Sequence, residues 1–180
     1  MNVKDTIIQI DENTKNPLRL HAKPVAKKDF NTKELEAVVS AMKRALGRES
    51  DGVAIAAPQI AIPLRIFVVS PLAYDEDAKW KPLVFINPTL VKRSKKTTIM
   101  QEGCLSVRWL YGKTKRSVSA TVEAYDLQGN KFTYGGSGLI AHIFQHEIDH
   151  LDGILFIDHG FDFEELSEEE VKKVLKKKAK

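Results

Sequence analysis

In the stretch FQHEIDHLDG, residues 144–153, two histidines stand four positions apart with a glutamate directly after the first. On a helix, His146 and His150 project from one face, and two imidazole nitrogens can reach a single ion at roughly 2.0–2.1 Å. Glu147 is turned one residue round from His146, beside the ion rather than on it. A carboxylate in that place takes a proton from metal-bound water. The competing reading is a solvated helix face that merely carries histidines, and it predicts polar neighbours. Leu139, Ile140, Ile143, Phe144, Ile148 and Leu151 instead put this helix in the core. Buried imidazoles and a buried carboxylate need partners, and a metal supplies them.

Two ligands do not hold a catalytic ion. His142 lies one turn before His146, but it is eight residues from His150, about 12 Å along a helix axis. Three histidines so spaced do not converge on one tetrahedral ion. Elsewhere the chain has His21, His159 and a single cysteine, Cys104. His159 follows the helix too closely to fold back easily, and His21 has no other sign of a site around it. Cys104 stands in QEGCLS, 101–106, between predicted strands, and Gly103 leaves the backbone free for close approach to an ion. A lone cysteine is ordinarily a small buried apolar residue. The HExxH pattern shifts that balance towards a ligand. A Cys/His/His set has three protein ligands and one open position, the arrangement of a catalytic site.

The elements that must position these groups are legible in part. Asn31 to Leu46 reads as a helix with Asn31 as its cap, Glu34 completing a capping box and Phe30 and Leu35 as a hydrophobic staple. Leu35, Val38, Val39, Met42 and Leu46 form its apolar stripe, and Gly47 ends it. DGVAIAAPQIAIPL, 51–64, is too broken for a long helix. RIFVVS, 65–70, and LVFINP, 83–88, read as buried strands. SVSATVEAYD, 117–126, alternates as a strand and turns through LQGN into KFTYGG as a hairpin. A second helix opens at Gly138, runs through Leu151 and stops at Gly153. Ser167 with Glu170, and Leu166 with Val171, start a C-terminal helix with acids first and lysines last, which suits its dipole. The expected fold is α+β: short antiparallel strands around a central metal-binding helix, with helices near both ends.

Composition bounds the function. At 180 residues the chain is expected to form one domain over 1–180, with an N-terminal segment at 1–16 and a C-terminal helix at 161–180. It is 43% hydrophobic and 29% charged, as a globular protein should be. The net charge of +4 favours a polyanionic neighbour weakly and does not by itself indicate nucleic-acid binding. No apolar run reaches the length of a membrane span, and the N-terminus lacks a secretory apolar region. One cysteine excludes an intrachain disulfide. The expected location is the cytoplasm.

With EGCLS and QHEIDHLDG in hand, the chain resembles the peptide deformylases. A third motif of that family, of the GxGxAAxQ type, is matched by GVAIAAPQ, 52–59, and all three occur in family order. The likeness extends to LRLHAKPV, 18–25, and to the acidic-to-basic C-terminal helix. It implies an α+β metallohydrolase that removes the N-formyl group from the initiator methionine of new polypeptides. It implies Cys104, His146 and His150 as metal ligands, Glu147 as general base and acid, and Gln59 with the Leu105 backbone N–H as oxyanion donors. It also implies substrate contacts at Gly52, Val53, Ala54, Glu102, Gly103, Leu139, His142 and Ile143. Family members favour Fe2+ and work with Ni2+ or Co2+, while purified samples often hold Zn2+. The expected substrates are N-formyl-methionyl peptides. The lysine-rich end suggests transient ribosome contact, weighed against a solvated helix end.

Three positions depart from the family pattern. Ala54 replaces the second glycine of its motif, tolerable where φ is negative. His142 stands where relatives have an apolar residue or arginine, near the pocket for the methionine side chain; it either makes that pocket more polar or sits as an ordinary histidine at its rim. SVRWLYGKTKR, 106–116, replaces a proline-containing stretch, with Trp109 and Tyr111 either in the substrate cleft or simply packed. The Ala54 and His142 departures motivate, as the alternative, a metal hydrolase of another N-acyl group or of a peptide bond. A ribosome-associated protein with a vestigial site is disfavoured by the intact Glu147 and ligand set.

Overall fold

The helix α1, Lys33–Gly47, turns Leu35, Val39, Met42 and Leu46 inwards. Its cap is Thr32, one residue later than the expected Asn31: Thr32 Oγ1 accepts the Leu35 N–H at 3.3 Å. Asn31 instead takes a left-handed conformation, φ 58°, in the turn that enters the helix. The structure, a computed structural model, describes residues 3–10, 16–74, 82–167 and 169–171.

Five antiparallel strands form the larger sheet: β1 (Ala54–Ala56), β2 (Ile66–Val69), β3 (Leu83–Arg93), β6 (Ser119–Tyr125) and β7 (Lys131–Ser137), side by side in that order. The unbroken apolar run of β2 follows from burial on both faces. Ile66 and Val68 pack with the α1 stripe, while Phe67 and Val69 pack with α2 (Leu139–Leu151). Phe67 stacks on Phe85 with centroids 4.5 Å apart, and Phe144 of α2 meets Phe85 edge-on at 5.3 Å. α2 is thereby seated on the sheet, and Phe144 fixes which side of the helix faces away from it. Gly138 caps α2 with φ 57°, a conformation that strains any residue with a Cβ.

A second sheet holds β4 (Thr97–Cys104), β5 (Val107–Ser117) and β8 (Phe161–Glu165) in the order β4-β5-β8. Cys104 is the last residue of β4 and pairs with Val107, so Leu105 and Ser106 are the tip of a tight hairpin. Phe161–Glu165 form a strand where the C-terminal helix was expected from residue 161, because pairing with β5 satisfies their backbone. The capping bonds expected beyond it are present: Glu170 Oε2 accepts the Ser167 N–H at 2.7 Å, Ser167 Oγ accepts the Glu170 N–H at 3.3 Å, and 169–171 are helical. The lysine-rich remainder, 172–180, lies outside the described residues. Among the described residues no helix is long and apolar enough to cross a membrane.

Candidate metal centre

The β4–β5 hairpin tip and α2 come together at one point. Ligand atoms of Cys104, His146 and His150 all lie within 4.8 Å of one another. Cys104 Sγ is 3.2 Å from His150 Nε2, and the two imidazole rings stand 4.9 Å apart at 72°. One thiol and two imidazoles at this spacing fit a borderline-soft divalent ion, which Cys104, His146 and His150 would hold. His142, His21 and His159 lie outside the triad, as helix geometry required of the first.

Glu102 organises the centre from behind. His146 donates its Nδ1–H to Glu102 Oε1 at 2.5 Å, which leaves Nε2 as the nitrogen that would ligate a metal. Arg116 Nη2 donates to the same oxygen at 2.7 Å. Glu102 Oε2 accepts from His142 Nε2 at 2.6 Å, from Arg116 Nε at 3.2 Å and from Thr114 Oγ1. Burial would raise the Glu102 carboxyl, but hydrogen bonds from His142, His146 and Arg116 outweigh it and hold the group far below the ordinary carboxylate range. Glu102 is therefore saturated by protein donors behind His146, and it also lines the cleft in which a substrate contact is expected of it. His142 is 5% exposed and tied to Glu102, so it belongs to the buried wall of the cleft and not to its rim. Arg116, Thr114 and Asp149, which bonds Arg116, were not legible in the sequence. The available signal was weak: an arginine on the inward alternation of β5.

Glu147 is 3% exposed and its Oε2 has no hydrogen-bond partner among the described residues. Burial pushes its carboxyl up to about 7, against the opposing field of His146 and with the Glu102 charge adding to the rise. Gln59 reaches the centre from the turn Ala57–Ile60 that follows β1. Its Nε2 lies 3.6 Å from Cys104 Sγ, and its Oε1 accepts the Ala56 N–H at 2.8 Å.

A cleft of about 460 Å³ opens on to these groups. Gly52, Val53 and Ala54 form one wall, and among the described residues β1 pairs on one side only, which leaves its outer edge unpaired. Ala54 has no positive φ, and the residue is 7% exposed and packed with the α2-side core. Leu105, Leu139 and Ile143 supply apolar lining, and Leu139 is 45% exposed on it. Gly103 has no positive φ; the glycine is needed because a Cβ would sit 2.6 Å from the Tyr111 ring. Trp109 and Tyr111 both line the cleft. Arg108 bonds Asp51 at 2.7 Å and also Glu49, which ties the hairpin to the loop before Gly52.

Comparison with known proteins gives the same answer from three sides. A model of the polypeptide deformylase family matches residues 5–166. A peptide deformylase of Desulforudis audaxviator is 44% identical over 113 residues, covering 63% of this chain and 70% of the relative. One from Bradyrhizobium diazoefficiens is 35% identical over 182 residues, covering 100% of this chain and 98% of the relative. A Met-Ala-Ser-bound class I type b peptide deformylase of Acinetobacter baumannii superposes with a TM-score of 0.77 at 31% identity, over 88% of this chain and 99% of that one. Matched along nearly its whole length and carrying a Cys/His/His centre, the chain belongs to the polypeptide deformylase family and has the peptide deformylase activity of a metallohydrolase.

Proposed function

We propose that this cleft hydrolyses the formamide of N-formyl-methionyl peptides, giving formate and a free amino terminus. The observation that carries the reading is Glu147: a buried carboxyl with one free oxygen beside the Cys104/His146/His150 triad. A divalent ion held by the triad supplies Lewis acidity and brings the pKa of water towards neutrality. Glu147 Oε2 takes the proton from the attacking water and later delivers it to the leaving amine. As the formyl carbon becomes tetrahedral, charge gathers on its oxygen. The Gln59 amide and the Leu105 N–H stabilise that charge, about 3 kcal/mol per donor.

The free edge of β1 supports binding of the peptide backbone along Gly52–Ala54, as an added strand. Leu139 and Ile143, with His142 in the wall behind them, fit the first side chain. The family resemblance supports Fe2+ as the native ion, with Ni2+, Co2+ or Zn2+ in purified protein. The one cysteine, used as a thiol ligand, suits the reducing cytoplasm. The lysines of 172–180 support transient contact with the ribosome. The reading takes 1–180 as one catalytic domain.

Protein purified anaerobically with Fe2+ or Ni2+ should release formate from a formyl-Met peptide, less from a formyl-Leu peptide, and leave an acetyl-Met peptide intact. Absence of formate from every formyl peptide at full metal loading overturns the reading.

A further inference from the structure

Gln59 and Ser106 are 47 positions apart in the chain and in contact in the fold: Gln59 Nε2 donates to Ser106 Oγ at 3.1 Å. Ser106 is fully buried and Gln59 is 2% exposed. The backbone N–H of Ser106 also points to Cys104 Sγ, at 3.4 Å. The Gln59 carboxamide is thus held at both ends. Its oxygen accepts the Ala56 N–H, one N–H goes to Ser106 Oγ, and the same nitrogen donates to Cys104 Sγ at 3.6 Å, so the second N–H rests on the thiol at the centre.

We propose that Ser106 is a positioning residue: its hydroxyl sets the rotation of the Gln59 amide so that the second N–H faces the formyl oxygen. The proposal rests on the reading of Gln59 as an oxyanion donor. An amide donor stabilises developing charge only if it is aimed before the charge appears. A primary amide with one N–H released would rotate, and its buried hydrogen bond would be lost. The chain also fixes the spacing of the two residues from outside. Residues 8–10 run past both, with the Ile8 N–H donating to Gln59 O at 2.9 Å and the Ile10 N–H to Ser106 O at 2.8 Å. Alternate residues of one extended segment thereby hold the loop that carries Gln59 to the hairpin tip that carries Ser106. Gln9, between them, donates from Nε2 to Leu105 O at 2.9 Å, so the segment also restrains the residue that offers the second donor.

A double-mutant cycle of Ser106→Ala and Gln59→Ala tests this, on Ni2+-loaded protein with a formyl-Met peptide. Metal content and Tm are recorded for each variant. Ser106→Ala is expected to lower kcat about 10-fold, with KM within about twofold and metal content unchanged, because an oxyanion donor acts in the transition state. In the Gln59→Ala background the same substitution is expected to change kcat less than about twofold, since its route of action is gone. Ser106→Gly removes the same oxygen from a tight turn and should reproduce the loss if the alanine variant does not fold. A loss of kcat that is equally large in both backgrounds, or no loss in either serine variant, overturns the positioning role while leaving Gln59 in place. Full kcat in Gln59→Ala alone overturns the oxyanion reading and the proposal with it.

Discussion

His146 and Glu102, 44 residues apart in the chain, share a 2.5 Å hydrogen bond from Nδ1–H to Oε1, so one metal ligand is aimed by a carboxylate that the cleft conceals. Glu102 also carries Arg116, which is buried with it at 7% exposure. Glu102→Gln keeps the shape but removes the charge and puts an amide donor in place of one of the two oxygens that accept from His146, His142 and Arg116. Metal affinity should fall roughly 10–100-fold, as for other groups behind a ligand. Folding stability should fall by about 3–5 kcal/mol, because Arg116 loses its main counter-charge. Chelator competition and denaturant melts read the two effects separately. Unchanged metal affinity would remove the orienting role.

Glu147 touches no ligand atom in the proposed roles, so Glu147→Ala should keep one metal per chain. Turnover should fall about 10²–10⁴-fold, the usual worth of a positioned general base. Metal analysis beside the formate assay checks both halves, and a fully active variant would exclude the mechanism.

The raised carboxyl of Glu147 links pH to the stability of chelator-stripped protein. The folded state holds the proton more tightly than the unfolded chain does. This contribution is fully present below the ordinary carboxylate range and is lost as pH rises through about 7. Glu147→Gln cannot ionise and should not show that loss. Relative to wild type it should gain roughly 3 kcal/mol between pH 4.5 and 8, at 1.36 kcal/mol per pKa unit. Denaturant melts in EDTA at the two pH values give the difference, and a pH-independent gap contradicts it.

Arg108 ties the hairpin wall to Asp51 and Glu49, next to the β1 edge that the peptide is proposed to join. Arg108→Ala should raise KM several-fold with kcat nearly unchanged, and more for tetrapeptides than for dipeptides. Removing uniform binding has that kinetic signature. Steady-state kinetics on a peptide-length series measures it; an equal fall in kcat would place Arg108 in the chemistry instead.

Local signals carried much of the fold. Helical spacing put His146 and His150 on one face and ruled out His142, because those are consequences of 3.6 residues per turn. The unbroken IFVV run announced a strand buried on both faces, and Phe67 and Val68 prove to face opposite layers. The second sheet was harder to see. β4 and β5 mix exposed lysines and threonines with single buried residues, so neither reads as a core strand. At the start of α1, Asn31 and Thr32 are both capping residues, and the entering turn chose between them.

The residue types and spacing of the sequence alone determined the metal-binding half-site on α2, the single cysteine available to complete it, and the expectation of a hydrolytic centre. Only the tertiary structure decided that Cys104 ends a β-hairpin facing α2, and that Glu102 orients His146 while His142 backs Glu102. It also decided that Ser106 meets Gln59. The reason is physical. Helix periodicity acts over four residues and is written in neighbouring letters. A hydrogen bond across 40 or more residues exists only once Phe144 has seated the helix on the sheet and β4 has paired with β5.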